Sequence, residues 1–429
     1  MPPRILPAAL LLAVLIQPAA ATTVRLIDTP ADSLATALTA IDSAQSEISV
    51  ATYIIDTGDV AKTLLRHLGN AAARGVRVRL LHDAFEPPLP KPWVRHLCSL
   101  GVEIHNYNPP CLLRPVQLNW RLHAKILVID RQAAILGSRN WQDSHYLIDP
   151  EASFIDQDIL IRGDTAERIA KHFDWLWQCP KSTTVDMEPK RRFDIWNLGT
   201  RDESQTSPLS SLLTAVDATP PNRSILRSCR RCGLAIEPIP APIITPTRLC
   251  LLTDRCCKKT DRNMARSIRR LIRSANRSVT IESPYPALSL AMADAMIDAA
   301  NRNVRVTLIT NSYRTIDQKD TYAAFLKRKR KLQSAGIRII EIGGDQILHA
   351  KTMIIDDHTA MVGSYNFDAR SERFNLEIAV IIHDESFVQQ LRQRIAARSS
   401  LQTHCPLTKS ESCELLRRRI RIQICHRCL

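Results

Sequence analysis

A histidine and a lysine recur twice in this chain at the same spacing. The segments RLHAKILVID and ILHAKTMIID both match the pattern H-x-K-x-x-x-x-D. In turn they supply His123, Lys125 and Asp130, then His349, Lys351 and Asp356. Imidazole can act as a nucleophile or as a general acid and base, and a nearby ammonium group stabilises negative charge. The motif therefore predicts chemistry on an anionic group, carried out by two histidine–lysine pairs.

The two copies also share their downstream residues. A Gly-Ser pair, an asparagine and a glutamate stand at the same distances from each histidine. These positions are Ser138, Asn140 and Glu151 in the first copy, and Ser364, Asn366 and Glu377 in the second. One copy of a short motif is weak evidence, but a register shared from histidine to glutamate is strong evidence of a common site architecture.

Two such half-sites brought together would form one cavity rich in positive charge and hydrogen-bond donors. That environment suits a phosphodiester, whose charge must be held while one P–O bond breaks and another forms. One imidazole would attack phosphorus and form a covalent phosphohistidine. The other would protonate the leaving alkoxide and then activate the incoming alcohol or water. This division of labour requires no metal or other cofactor.

The remaining motif residues have expected supporting roles. Glu151 and Glu377 are the candidates to orient the second ring nitrogens of the histidines. The side chains expected to contact the phosphate are Ser138, Asn140, Ser364 and Asn366. Asp130 and Asp356 are expected to be structural, ending a strand and pairing with a nearby cation, because a carboxylate facing the phosphate would repel it.

The elements that must position these residues follow from apolar periodicity. Short β-branched runs alternate with segments that have apolar residues at helical spacing, which predicts an α/β fold with mixed, largely buried sheets. The HAKILVID run predicts a central strand, on which His123 and Lys125 would share one face. Asp164 and Glu167, three residues apart, predict a capping-box-like start for the helix that closes the first half.

The organisation predicted from these patterns is a duplicated unit. RGVRVRLLHDAF parallels RNVRVTLITNSY, and SLGVEIHNYN parallels SAGIRIIEIG, in the same order in each half. We expect an N-terminal α/β domain over residues 22–180 and a C-terminal one over 262–398. Between them, 181–261 is rich in Pro, Ser, Thr and Arg and predicts a linker. Residues 399–429 form a basic, Cys-rich tail, either solvated or amphipathic enough to touch anionic lipid.

The N-terminus and the cysteines bear on location. Arg4 precedes an apolar run over 5–16 and then small residues, which predicts a secretory signal peptide over 1–21, with an uncleaved anchor as the alternative. Twelve cysteines fit an oxidising compartment, so disulfides or loosely structured thiols are favoured over zinc in the two C-x-x-C pairs. We expect an exported protein, periplasmic or secreted, peripherally associated with a membrane.

Bulk composition bounds the partners. The chain has 429 residues, 45% hydrophobic and 24% charged, which is globular, and its formal net charge is +15. A basic surface suits nucleic acid, an anionic membrane surface or a phosphate-bearing substrate, and composition does not choose among them.

Both halves resemble the phospholipase D superfamily. The second copy, LHAKTMIIDDHTAMVGSYNFDARSERFNLE, is similar to bacterial cardiolipin synthases, and the first has the YNPP and RLHAKILVID segments of one branch of that family. The resemblance covers residues 24–178 and 262–398. It implies two α/β/α domains related by a pseudo-twofold axis, with one shared active site and no cofactor. It also implies His123 as nucleophile and His349 as acid and base. Gly137-Ser138 stands where the family favours Gly-Gly.

Several functions stay open at this stage. The leading hypothesis is phosphatidyl transfer or hydrolysis, with a phospholipid substrate and either an alcohol or water as the acceptor. A secreted phosphodiesterase acting on nucleic acid is the alternative. Superfamily nucleases, however, often carry one motif per chain and dimerise, whereas this chain has both and is expected to act as a monomer. A non-catalytic phosphate-binding protein is disfavoured because both motifs are intact.

Overall fold

A computed structural model describes residues 21–27, 29–86, 88–111, 115–146, 153–185, 241–254, 263–401 and 407–424. The signal-peptide prediction, apart from Ala21, lies outside these residues. So do Glu151, most of the predicted linker and both C-x-x-C pairs. Among the described cysteines, Cys98, Cys111, Cys250 and Cys413 are free thiols.

The first half is built on an eight-stranded mixed sheet. Its strands are β1 (Thr23–Ile27), β2 (Glu47–Thr52), β3 (Arg77–Asp83), β4 (Val102–Tyr107), β6 (Ile126–Ile129), β7 (Ala133–Gly137), β9 (Asp158–Arg162) and β10 (Ser182–Thr184). Their order across the sheet is β1-β9-β7-β6-β2-β3-β4-β10. Only β2, β3 and β4 run parallel, and they are joined by helical crossovers.

The second half repeats this arrangement in a seven-stranded sheet. Its strands are β11 (Arg248–Thr253), β12 (Ser278–Glu282), β13 (Arg305–Asn311), β14 (Arg338–Ile342), β16 (Thr352–Ile355), β17 (Thr359–Gly363) and β19 (Ile378–His383). The order β11-β19-β17-β16-β12-β13-β14 matches the first seven strands of the other sheet, including a parallel β12-β13-β14 set. The predicted fold class, two mixed α/β domains in pseudo-twofold relation, is confirmed.

Helices cover the sheets. They are α1 (Pro30–Ser43), α2 (Asp59–Ala73), α3 (Lys91–Ser99), α4 (Asp164–Gln178), α5 (Asn263–Ser274), α6 (Leu290–Asn301), α7 (Lys319–Ser334), α8 (Ala369–Arg373), α9 (Glu385–Ser399) and α10 (Lys409–Ile424). The capping box expected at the start of α4 is not formed. Gly163 is the N-cap residue, and Glu167 instead forms an ion pair with Arg131.

Two short strand pairs join one half to the other. β5 (Arg121–Leu122) pairs in parallel with β18 (Asn375–Leu376), and β8 (Ser153–Ile155) pairs in parallel with β15 (Gln346–Leu348). One hydrophobic cluster accordingly runs through both halves, with the side chains of Leu122 and Leu348 fully buried in it. The halves therefore form one packed body, and each histidine motif begins where a crossing strand ends.

The single strand expected through each motif is interrupted. His123 and Lys125 lie between β5 and β6, and His349 and Lys351 lie between β15 and β16. The reason is a change of partner. The residues before each histidine pair with the opposite half, whereas the residues after each lysine join their own sheet. The alternation argument for one shared face does not apply at such a break.

The predicted linker and tail contribute ordered elements. β10 and β11 both fall within 181–261 and extend the two main sheets, and Val24 forms a further bridge with Ile244. In the tail, α10 packs against α7, and Leu415 is buried there. Across the described part of the chain, no helix is both long and apolar enough to cross a bilayer.

The motif aspartates accept hydrogen bonds from the backbone at the start of a neighbouring strand. Asp356 has φ 52° and its carboxylate accepts hydrogen bonds from the backbone N–H groups of Asn276, Arg277 and Ser278 at 2.7 to 3.1 Å. Asp130, with φ 49°, accepts in the same way from residues 45–47. Their partners are backbone amides at the start of β12 and β2, and not the cation that the sequence suggested.

This arrangement predicts a stability difference between neighbouring aspartates. Asp356→Ala should lower the free energy of unfolding by about 3 kcal/mol, because three backbone donors lose their acceptor and alanine tolerates the left-handed conformation less well. Asp357→Ala is the matched control. That side chain is 55% exposed and pairs with two surface arginines, so its loss should cost less than about 1 kcal/mol. Urea unfolding measures both, and equal losses would contradict the structural role.

Candidate active site

One cavity of about 280 Å³ is lined by both halves of the chain. His123 and His349 both face it, and each is more than nine-tenths buried. The first half also contributes Tyr53, Asn140, His145 and Phe154, and the second contributes Tyr285, Asp317, Asn366, Asp368 and Arg370. The structure therefore brings the two histidines to a shared cleft.

His123 is held by the second half. Its Nδ1 lies 2.9 Å from Oε2 of Glu377, and its backbone N–H donates to the carbonyl of Leu376 at 3.0 Å. Glu377 is fully buried and also accepts from the hydroxyl of Ser371 and the amide of Asn375. An ionised carboxylate at Nδ1 fixes the ring and leaves Nε2 as the nitrogen available for reaction.

His349 is held by the first half in the reciprocal way. Its Nδ1 lies 2.7 Å from Oδ1 of Asp156, and its backbone N–H donates to the carbonyl of Ile155 at 2.8 Å. Asp156 is fully buried at its side chain, like Glu377. Each reactive ring is thus oriented by a carboxylate from the opposite half, so neither half-site is complete by itself.

The orienting carboxylate of the first half is Asp156, and the assignment of Glu151 to this role is corrected. Glu151 lies outside the described residues, and Nδ1 of His349 is already occupied by Asp156. The register shared by the two copies fails after Asn140 because the first half has a longer segment before its carboxylate. Counting the same distance from each histidine therefore reaches the wrong residue in one copy.

The motif serines support the carboxylates and do not line the cavity. The Ser138 hydroxyl donates to Oδ1 of Asp156 at 2.6 Å, and the Ser364 hydroxyl donates to Oε2 of Glu377 at 2.5 Å. Both serines are fully buried. The phosphate-contact role expected for these two hydroxyls is therefore replaced by one of fixing the orienting acids. Asn140 and Asn366 do line the cavity.

The motif lysines lie behind the histidines. Nζ of Lys125 donates to the carbonyl of His123 at 2.9 Å, and Nζ of Lys351 donates to that of His349 at 2.5 Å. Both are buried, and neither belongs to the described residues that line the cavity. They place positive charge against the backbone of each reactive residue. Arg370 is the exposed cation that reaches the cavity directly.

Burial sets the charge states. It lowers the pKa of His123 to about 4 and that of His349 well below its usual value. It also lowers the pKa of Lys125 to about 8. For Asp156 burial works the other way, but the two histidines bonded to it hold its pKa well below the usual carboxyl value. The resting site therefore has neutral imidazoles facing ionised carboxylates.

A further histidine belongs to the first half-site. Nδ1 of His145 lies 2.7 Å from Oδ2 of Asp156, so this carboxylate bridges His145 and His349. The three side chains present ligand atoms within 4.8 Å of one another, which is a spacing that could hold a metal ion. Both contacts are direct hydrogen bonds, each with a proton between ring and carboxylate, and a metal would have to replace both protons. The contacts thus describe a hydrogen-bonded row.

The residues that sequence analysis missed are those without a repeated position. Asp156 and His145 have no histidine-motif register to mark them, and His145 drew no functional prediction. Tyr53 and Tyr285 come from loops after β2 and β12, far from the motifs in sequence, and only the fold brings them to the cavity.

The comparison with protein families agrees with this geometry. Residues 37–177 and 268–398 match the family model described as Cardiolipin synthase, PLD-like domain. The chain belongs to this family. The predicted resemblance to the phospholipase D superfamily is confirmed, and the protein is an enzyme of phospholipase D type. The two matched segments fall one in each half.

Similar proteins cover most of the chain. Cardiolipin synthase C of Escherichia coli (strain K12) is 26% identical over 405 residues, which is 85% of this chain and 82% of that protein. Cardiolipin synthase B of the same strain is 29% identical over 360 residues, covering 83% and 75%. The crystal structure of phosphatidylserine synthase from Haemophilus influenzae Rd KW20 covers 94% of this chain and 93% of its own, with a TM-score of 0.67 and 13% identity. This last likeness shows the shared fold.

The depressed histidine pKa values predict a pH-dependent stability. In the unfolded chain these residues bind protons near pH 6.5, whereas in the folded protein burial lowers the pKa of His123 to about 4 and that of His349 well below its usual value. Because the unfolded state binds more protons in this window, stability should fall as the pH is lowered from about 6.5 to about 4. The slope should approach about 1.4 kcal/mol per pH unit for each histidine.

The double variant His123→Gln/His349→Gln should have a shallower slope in urea unfolding across this pH range. His82 is also buried, with its pKa lowered to about 4, so a residual slope should remain and should decrease further in His82→Gln. An unchanged slope in the double variant would show that the two site histidines are not held neutral.

Proposed function

We propose that the enzyme transfers or hydrolyses phosphatidyl groups of phospholipids through a covalent phosphohistidine. The observation that carries this proposal is the pair of imidazoles in one cavity, each bonded at Nδ1 to a buried carboxylate of the opposite half. Such rings present a neutral Nε2 that can attack, and the carboxylate stabilises the imidazolium that develops.

The steps follow from this pairing. In the first, the anionic phosphodiester binds and His349 takes up a proton at Nε2, because the bound negative charge stabilises its imidazolium. Nε2 of His123 then attacks phosphorus, the P–O bond to the leaving alcohol breaks, and His349 donates this Nε2 proton to the departing oxygen. In the second, His349 removes a proton from the incoming alcohol or water, whose oxygen attacks phosphorus and breaks the P–N bond. His123 as the nucleophile rests on the family resemblance, and the reciprocal geometry accommodates either order.

Several groups are placed to hold the phosphate. The amides of Asn140 and Asn366 line the cavity, and each Oδ1 is buried and unpaired among the described residues. Burial first, and then the neighbouring positive charge of Lys125, lower the pKa of Lys351 well below its usual value. A bound phosphate anion would offset both effects, so the site favours a negatively charged ligand over an empty state.

The substrate class rests on the relatives. Two of them are named cardiolipin synthases, and the matching solved fold is a phosphatidylserine synthase. An alcohol acceptor on a glycerol-like headgroup or a second phospholipid would give transfer, and water would give phosphatidic acid. The proposed export rests on the N-terminal sequence and on the cysteine content. Because one chain supplies both motifs to one cavity, we propose that the monomer is active.

Purified protein incubated with labelled phosphatidylglycerol, phosphatidylethanolamine and single-stranded DNA tests the proposal. Cardiolipin or phosphatidic acid should form, the DNA should stay intact, and a chelator should have no effect. His123→Asn and His349→Asn should each lower turnover by a factor of about 1,000 or more, because each removes one half of the proton and nucleophile chemistry.

The control for these variants is His358→Gln, an exposed histidine close to the second motif in sequence, which should leave turnover unchanged. Rapid quenching in neutral denaturing detergent, which avoids the acid that cleaves a P–N bond, should trap label from the phosphatidyl group on the wild-type protein and not on His123→Asn. DNA cleavage with intact lipid would overturn the lipid assignment, and label retained by His123→Asn would move the nucleophile to His349.

We also propose that α10 docks on an anionic membrane. Its inner side is fixed by hydrogen bonds from Tyr313 to Glu414 and from Arg418 to Asp320. Its outer side exposes Leu416 and Ile420, which lie one helical turn apart and are 56% and 49% exposed. An apolar stripe among arginines is typical of interfacial helices on anionic lipid. Glu411 of α10 accepts a hydrogen bond from Arg314, which lies in the loop before α7. Asp317 and Gln318 of the same loop line the cavity, so docking of α10 would bring lipid close to the site.

Vesicle sedimentation checks this surface. Leu416→Gln/Ile420→Gln should weaken binding to vesicles containing phosphatidylglycerol about tenfold. The reason is that two aliphatic side chains no longer bury apolar surface in the lipid interface. Ile243→Gln, at a position 66% exposed beside β1, is the matched control and should bind normally. Wild-type binding by the double variant would exclude α10 as the docking element.

A further inference from the structure

The two half-sites differ at one position. Asp156 and Glu377 play the same part, and each has a second carboxylate oxygen that does not contact the reactive histidine. In the second half the Ser371 hydroxyl donates to Oε1 of Glu377 at 2.7 Å. In the first half the corresponding contact is made by His145, whose Nδ1 lies 2.7 Å from Oδ2 of Asp156. A neutral hydroxyl is thus replaced by an imidazole in one half only.

His145 also contacts a cavity amide. Its Nε2 lies 3.2 Å from Nδ2 of Asn140, and an amide NH₂ can only donate, so Nε2 must be the acceptor and Nδ1 carries the proton. The proton on Nδ1 is then donated to Asp156. This bond also fixes the orientation of the Asn140 amide, whose Oδ1 is buried and unpaired among the described residues. His145 itself is 2% exposed, so its ring is held from both sides.

We propose that His145 is a positioning residue that acts on the reaction from both ring nitrogens. Through Nδ1 it shares the charge of Asp156 with His349, and through Nε2 it aims the amide of Asn140 at the phosphate. This inference rests on the proposed function. It makes the two reactive histidines chemically unequal, because Glu377 receives its remaining hydrogen bonds from uncharged hydroxyl and amide groups, whereas Asp156 is shared between two imidazoles.

The direction in which His145 shifts the pKa of His349 follows from the sharing of Asp156 between the two imidazoles. A carboxylate that already accepts an N–H bond at Oδ2 has less charge available to stabilise an imidazolium at Oδ1. Removing the His145 donor should therefore make the His349 imidazolium more stable. Other ionisable groups also surround His145, Asp156 and His349, and a substitution at 145 leaves all of them in the protein. They are Asp56, Arg139, Asp158, Tyr285, Lys351 and Arg398.

Two near-isosteric variants separate the two contacts. The amide nitrogen of asparagine can occupy the place of Nδ1, so His145→Asn keeps a donor to Asp156 and loses the acceptor for Asn140. The amide of glutamine reaches the place of Nε2, so His145→Gln keeps a partner for Asn140 and loses the donor to Asp156. His145→Ala loses both contacts, and Ser371→Ala removes the equivalent contact in the second half.

Proton titration of histidines by NMR is the first readout, and it does not depend on activity. The pKa of His349 should rise by about one unit in His145→Gln and His145→Ala and stay at the wild-type value in His145→Asn. Ser371→Ala should shift His123 and leave His349 unchanged. If His145→Ala does not fold, the Asn and Gln variants, which nearly conserve volume, decide the question.

Turnover of labelled phosphatidylglycerol is the second readout. His145→Ala should lower kcat about tenfold or more, and His145→Asn should lower kcat without moving the pH profile. An unchanged His349 titration in both His145→Gln and His145→Ala would overturn the proposal, and so would identical effects of the Asn and Gln variants. If wild-type protein turned over no phospholipid, the proposed function would fail, while the titration would still decide the role of His145.

Discussion

The structure depends on a reciprocal hydrogen bond between halves, in which an imidazole of each half is held by a carboxylate of the other. His123 is bonded to Glu377 and His349 to Asp156, and the backbone of each histidine is tied to the same opposite segment. Unpaired, these buried acids would be costly. The short crossing strands supply the geometry that pairs them, so the contact between halves and the chemistry of the site are one arrangement.

The repeated sheets explain how such a site arises from two similar units. The same strand order places each histidine immediately after a crossing strand, and each motif aspartate fixes the start of the strand next to it. Within the site, one asymmetry lies in the residues around the two carboxylates. A difference in spacing and the exchange of a serine for a histidine give the halves different hydrogen-bond partners within the same frame.

Much of this was predictable from the sequence. The duplicated register identified His123, His349 and Glu377, and apolar periodicity gave the mixed α/β halves. The register could not show which carboxylate bonds to which histidine. A repeat shows which residues are equivalent, but it does not show which half of the chain each side chain faces. Asp156 was missed since its loop differs in length from that of Glu377, and a constant spacing pointed to Glu151.

Other differences have similar physical causes. Ser138 and Ser364 have short side chains whose reach is set by backbone position, and the structure turns both toward buried acids. The proline-rich composition of 181–261 concealed β10 and β11, whose strand character comes from pairing with an existing sheet edge and not from strong local propensity.

The crossing strands have a consequence for how this protein can change. Duplicated units are usually free to diverge because one copy can retain the original task while the other drifts. Here each half supplies the carboxylate that orients the histidine of the other half, so neither copy is redundant. Loss of the carboxylate in one half removes the Nδ1 partner of the histidine in the other. Divergence is thereby restricted to loops, the surface and residues one contact removed from the reacting atoms.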